Sequence, residues 1–216
     1  MSLGLRSDVL RFINDLISPE SRTLETGEGL STVLFALRGT THTCVGPDFY
    51  VHDSIRRFCE RQGISLDNVT FEVGFSEDVL PRLERTPLDL VLIDGGHGFP
   101  ITFVDWLYTG DRLRVGGHLV IDDIEVWTGA VLTSFLEAEP QWELVKEFTP
   151  RAVVFRKASA DEHLVKDWTE QPFVVTASRQ LNRRRRAKAA MSMIAHGDFR
   201  ELSAHLRAYV RRRPFI

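Results

Sequence analysis

Two apolar runs in this 216-residue chain end on groups that a core has no use for. Residues 91–98 read VLIDGGHG, so three core-type side chains run into Asp94, two glycines and His97. Residues 119–125 read LVIDDIE and end on the adjacent pair Asp122 and Asp123. If both runs are neighbouring strands, three carboxylates and an imidazole meet at one end of them. Carboxylates that close repel unless a proton or a cation intervenes. All-oxygen ligands suit Mg2+, Ca2+ or Mn2+, so a divalent ion on Asp94, Asp122 and Asp123 could orient a substrate hydroxyl and lower its pKa. His97, with an unperturbed pKa of about 6.5, would then take the proton as general base. Plainer roles stand beside these: either aspartate could cap a helix starting near Thr128, and His97 could bond backbone in its glycine-rich turn.

A third stretch, ETGEGLS at residues 25–31, follows an earlier apolar run and precedes a helix-like one. Gly27 and Gly29 would let the backbone turn sharply and approach a ligand, whose polar groups would meet free N–H groups at the helix start. The stretch is neither G-x-G-x-x-G nor a phosphate loop, which argues against NAD and ATP. A tight turn without any ligand is the bland alternative.

The elements that would position these residues are legible from periodicity. Strand-like runs fall at 22–26, 41–45, 69–73, 88–94, 118–123, 142–148 and 152–156, with amphipathic, helix-length segments between most of them. Strand–helix–strand at this spacing implies right-handed crossovers and a parallel sheet covered on both faces. The last two runs are joined only by TPR and read as an antiparallel pair at one sheet edge. In such open α/β sheets ligands bind beyond the carboxyl ends of the strands, where strand order reverses. The three motifs sit at such ends.

Composition allows an ordinary soluble domain, with 43% hydrophobic and 26% charged residues and no apolar stretch long enough for a membrane span. The two cysteines, Cys44 and Cys59, suggest neither a disulfide framework nor a zinc site, and a cytoplasmic location is the default expectation. The net charge of −3 hides an asymmetry: 12 basic and six acidic residues after residue 158 make that stretch +6, whereas 15 against 24 leave the first 158 residues at −9. Two regions follow: an α/β domain at 1–158 and a basic helical extension at 159–216, with helices at 177–195 and 198–213.

Glu-Thr-Gly-x-Gly-x-Ser after a first strand, Asp-x-x-His after a fourth and GGHLVIDD at a fifth together resemble a class I S-adenosylmethionine-dependent methyltransferase. More narrowly, they resemble the small-molecule O-methyltransferase-like group that includes catechol and macrolide-sugar O-methyltransferases. The likeness covers roughly residues 20–157. It implies a Rossmann-like open sheet of about seven strands, mostly parallel with an antiparallel edge strand and helices on both faces. It also implies that Glu25, Gly27, Gly29 and Ser31 surround the methionine part of the cofactor. That family usually ends its second strand on an acid that binds the ribose; here Gly46 stands there and Asp48, two residues on, would reach the ribose instead. Its Gly-Asp after the third strand is replaced by Gly74-Phe75-Ser76, with Phe75 stacking on adenine and Ser76 beside it.

The resemblance assigns Asp94, Asp122 and Asp123 to a metal such as Mg2+, and Asp94 and His97 to catalysis, with Asp94 also facing the cofactor. The implied reaction is methyl transfer to a hydroxyl of a small molecule, a sugar or other secondary metabolite. Phe99, Trp106 and Trp127 would line an apolar acceptor pocket or simply belong to the core; His118 reads as core or edge, and His42 and His52 as surface. Two rival functions remain: a nucleic-acid methyltransferase whose basic tail holds RNA or DNA, though no Asn/Asp-Pro-Pro-Tyr/Phe signature is present, and a non-catalytic interaction protein with the same fold. The C-terminal helices also offer a route to homo-oligomers.

Overall fold

The computed structural model describes residues 5–160, 166–198 and 200–203. The chain divides into two compact units, residues 1–164 and 165–216. The first begins with helix α1 (Ser7–Leu16) and then alternates: β1 (Arg22–Thr26), α2 (Leu30–Leu37), β2 (Thr41–Gly46), α3 (Phe49–Gln62), β3 (Val69–Val73), the short α4 (Ser76–Val79), β4 (Leu88–Ile93), α5 (Ile101–Gly110), β5 (Leu113–Ile121), α6 (Trp127–Ala138), β6 (Trp142–Phe148) and β7 (Ala152–Lys157).

The strands form one sheet in the order β3-β2-β1-β4-β5-β7-β6. The first five are parallel, β7 runs antiparallel to both its neighbours, and β6 takes the outer edge. The strand LDLVLI shows why the sequence folds this way. Val91 and Ile93 pack with Leu119, Ile121, Phe155, Trp106 and Leu132 on the face covered by α5 and α6. Leu90 and Leu92 point to the other face, against Val9, Ile13 and Phe35 of α1 and α2. A strand buried on both faces must be apolar throughout, which is the signature of a covered parallel sheet.

Several boundaries depart from the sequence reading. Asp48 caps α3, accepting from the Tyr50 N–H at 2.8 Å, so that helix starts before the expected DSIRRF segment. Pro81 ends the fourth helical segment after one turn, which continues only as a 3-10 turn at Leu80–Arg82. β5 begins at Leu113 and runs through two glycines, with a register shift between Leu88 and Leu90 of β4. His42 and His52 are buried, not on the surface, and His118 is half-buried in β5.

The second unit contains a 3-10 turn at Trp168–Glu170 and helix α7 (Pro172–Ala195). Pro172 starts the helix where its missing N–H costs nothing. Residues 200–203 are helical, and the rest of the second expected helix lies outside the described residues. No helix among the described residues is long and apolar enough to cross a membrane.

Candidate active site

Strand order reverses between β1 and β4, and the registers Thr26–Ile93 and Ile93–Ile121 bring the ends of β1, β4 and β5 level. The Asp94 N–H donates to the Thr26 carbonyl at 2.9 Å and the Asp122 N–H to the Ile93 carbonyl at 3.0 Å. Gly27 turns away at φ 90°, and a Cβ there would collide with the Asp94 carbonyl. No other residue fits this crossing, because L side chains avoid that φ and the space is already taken. Thr26 is anchored from below, its hydroxyl donating to Asp105 of α5 at 2.7 Å.

Beyond this platform the donor atoms of Asp94, His97 and Asp123 lie within 4.8 Å of one another. His97 Nε2 is 2.8 Å from Asp123 Oδ2, and Thr128 at the start of α6 donates its hydroxyl to the His97 carbonyl at 2.8 Å, fixing the turn. Asp123 sits at φ 52°, the one non-glycine with positive φ among the described residues. Aspartate tolerates that conformation better than most, at a cost of roughly 1–3 kcal/mol. The kink aims its carboxylate at His97. α6 takes no side-chain cap, so the structure uses neither aspartate as a helix cap, and the His97 ring bonds Asp123 and not backbone.

Behind the acids stands a residue that no motif or spacing marks in the sequence. Arg151, just before β7, places Nη2 at 2.5 Å from Asp123 Oδ1 and 3.4 Å from Asp122 Oδ2, with Nε 3.4 Å from Glu125. Asp122 is turned inward and buried, one of its oxygens has no partner, and burial raises its pKa. The structure therefore groups one imidazole nitrogen with two carboxylates, and leaves Asp122 behind them instead of in an all-oxygen set. Asp94 is pushed up to about 8, first by burial and then by the charges of Asp122, Asp123 and Glu25, with Arg151 offsetting part of this. Such a donor set fits a divalent cation of intermediate hardness, since carboxylates suit Mg2+ and Mn2+ and imidazole suits the later transition metals.

On the other side of Gly27, Glu25 is wholly buried at the end of β1. Its Oε1 accepts the Thr32 hydroxyl and the His42 Nε2–H (3.1 Å), while Oε2 has no partner. An orphaned buried carboxylate oxygen beside a glycine turn is what a cofactor's ammonium would complete. Ser31 is buried in the first turn of α2, and a Cβ on Gly29 would meet open space. Phe75 is 61% exposed at the end of β3, followed by the buried Ser76. The Asp48 carboxylate is engaged in capping α3. Of the three expected pocket aromatics, Phe99 and Trp127 are exposed with ring centroids 6.2 Å apart, whereas Trp106 is core, packed against Phe135.

Residues 24–124, which hold this entire platform, match the family model described as a methyltransferase domain. Over that stretch the chain is similar to a methyltransferase domain. A comparison with curated protein sequences finds no significant match. Among solved structures, the chain is similar to cofactor-bound Rv0187 from MTB, with a TM-score of 0.63 and 18% identity over 73% of this chain and 83% of that one. TomG of Streptomyces achromogenes, an O-methyltransferase of tomaymycin synthesis solved with S-adenosylmethionine, gives 0.57 and 18% over 73% and 82%. An rRNA methylase from Streptococcus thermophilus gives 0.55 and 18% over 70% and 95%. At these identities the likeness is one of fold, and the acceptor must be argued from the site.

Proposed function

We propose that the protein transfers the methyl group of S-adenosylmethionine to a hydroxyl of a small molecule, with His97 as general base. The observation that carries this is the hydrogen-bonded chain His97–Asp123–Arg151 at the end of β5, beside the glycine turn. When bound, S-adenosylmethionine supplies a methyl carbon on a positively charged sulfur, and such a carbon needs only a well-placed nucleophile. Glu25 and Gly27 would hold the cofactor's amino-acid end and Phe75 its adenine, with Asp94 between cofactor and acceptor. With Nε2 committed to Asp123, the His97 ring presents Nδ1 to the acceptor. The acceptor hydroxyl gives its proton to Nδ1, which readies its oxygen for the methyl group that the bound cofactor would supply. Asp123 then stabilises the imidazolium, and Arg151 holds Asp123 in place. Phe99 and Trp127 give the acceptor an apolar wall.

The carboxylates of Asp94 and Asp123 would also hold a divalent ion, leaving the His97 lone pair free for the proton, and the ion would supply Lewis-acid activation of the hydroxyl. Methyl transfer from labelled S-adenosylmethionine to a panel of sugars and catechol-type diols tests the reading, with chelator and Mg2+ or Mn2+ add-back separating the metal's part. His97→Asn is expected to lower turnover about 10²–10⁴-fold. Full activity in His97→Asn or in Asp94→Ala would overturn the assignment.

A further inference from the structure

Gly46, the last residue of β2, has no side chain, yet the space a side chain would fill is occupied. A Cβ built on Gly46 would overlap the carboxyl group of Glu28, which arrives from the glycine turn between β1 and α2. Glu28 thus sets a carboxylate at the carboxyl end of β2 without belonging to that strand. Among the described residues its Oε1 accepts only the Asp48 N–H, at 3.3 Å, and no hydrogen bond ends on Oε2. The group is half-buried, and burial, Glu25 and Asp48 raise its pKa, so the fold keeps an acid here at some cost. A pair of neutral hydroxyl donors would satisfy both of its oxygens without requiring a cation. Asp48, the other acid in reach of this corner, is committed to the α3 cap.

In doubly wound sheets an acid at the end of the second strand, about 20 residues beyond the first glycine, binds ribose hydroxyls. We infer that in this chain Glu28 is that acid in space, though not in sequence, and that it binds the vicinal diol of the cofactor's ribose. The inference rests on the S-adenosylmethionine reading above. It makes the turn ETGEG bifunctional: Gly27 and Gly29 bring the backbone close to the ligand, and the residue between them reads its sugar. Gly46 is then small because Glu28 needs its place.

Calorimetric binding of S-adenosylhomocysteine and of its 2′-deoxyribose analogue tests this directly. Wild-type protein should prefer the ribose form, and Glu28→Gln should weaken that form by about 10–100-fold while leaving the deoxy analogue within a few-fold, as expected for losing charge-assisted hydrogen bonds. The double variant Glu28→Ala with Gly46→Asp returns a carboxylate to the strand end and should recover most of the ribose preference. Equal loss for both ligands, or no loss in Glu28→Gln, would overturn the assignment of Glu28 while leaving the cofactor in place. Absence of binding by the wild-type protein would instead remove the cofactor reading, and this inference with it.

Discussion

His42 is the residue whose role differs most from its appearance in the sequence. In THTCV a histidine flanked by threonines looks solvated, but its ring is fully enclosed, stacked on Phe35 with centroids 4.3 Å apart. Its Nε2 meets Glu25 at 3.1 Å, and its Nδ1 shares a hydrogen bond with the Thr23 hydroxyl at 2.8 Å. Only the register of β1 on β2 shows this, and register cannot be read from either strand alone. Arg151 and Glu28 were illegible for a similar reason. Arg151 lies 29 residues from Asp122, in a turn with no motif spacing, and Glu28 meets Gly46 only after the sheet has formed. Asp94, His97 and Asp123 were legible because strand ends in a parallel sheet converge whatever their loops do. His42→Ala leaves Glu25 buried with one donor and opens a cavity beside Phe35. Breaking such a buried pair from one side should cost about 3–5 kcal/mol in urea unfolding. A loss below about 1 kcal/mol would show that Glu25 finds its partner elsewhere.

At the scale of elements, a strand such as β4 was readable because it is covered on both faces and so apolar, while helix boundaries depended on single residues such as Pro81 and Asp48. Helix α5 carries the element-level exception: Asp105 sits in ITFVDWLY, fully buried, where it ties α5 to the end of β1 through Thr26. Burial raises its pKa from 3.8 to about 6, against the lowering effect of hydrogen bonds from Ser76 and Thr26. The folded state therefore holds this proton more tightly than the unfolded chain does. Its contribution to stability is fully present below about pH 4 and is lost as pH rises to about 6, roughly 3 kcal/mol in all. Asp105→Asn keeps an acceptor for Thr26 and removes the titration. Relative to wild type, the variant should gain stability between about pH 4 and pH 6 and hold that gain to pH 8, as followed by urea unfolding at each pH. A difference that does not change with pH would place the titrating group elsewhere.

Over the whole molecule, the chain joins an acidic α/β unit to a basic helical one. The sequence reading placed that change of character near residue 158, and the two compact units meet at residues 164 and 165. Helix α7 carries Arg179, the run Arg183–Arg186 and Lys188 with no acid along its 24 residues, and none of its residues is buried. Consecutive arginines point around a helix in steps of about 100°, so their charge forms a collar and not a stripe. A collar suits a polyanion met from several sides and does not suit a flat membrane, for which a basic helix needs one apolar face. Binding of this kind releases counterions and must weaken steeply with salt. Intact protein is expected to be retained on heparin and to elute within a few hundred millimolar NaCl, whereas protein lacking residues 177–216, with the net charge of its acidic unit dominating, should pass through. Equal retention of the two forms would move the polyanion-binding charge out of α7. If retention is lost while small-molecule methyl transfer persists, the helix acts apart from the chemistry of the first unit; if transfer to RNA is lost with it, the acceptor itself is nucleic acid.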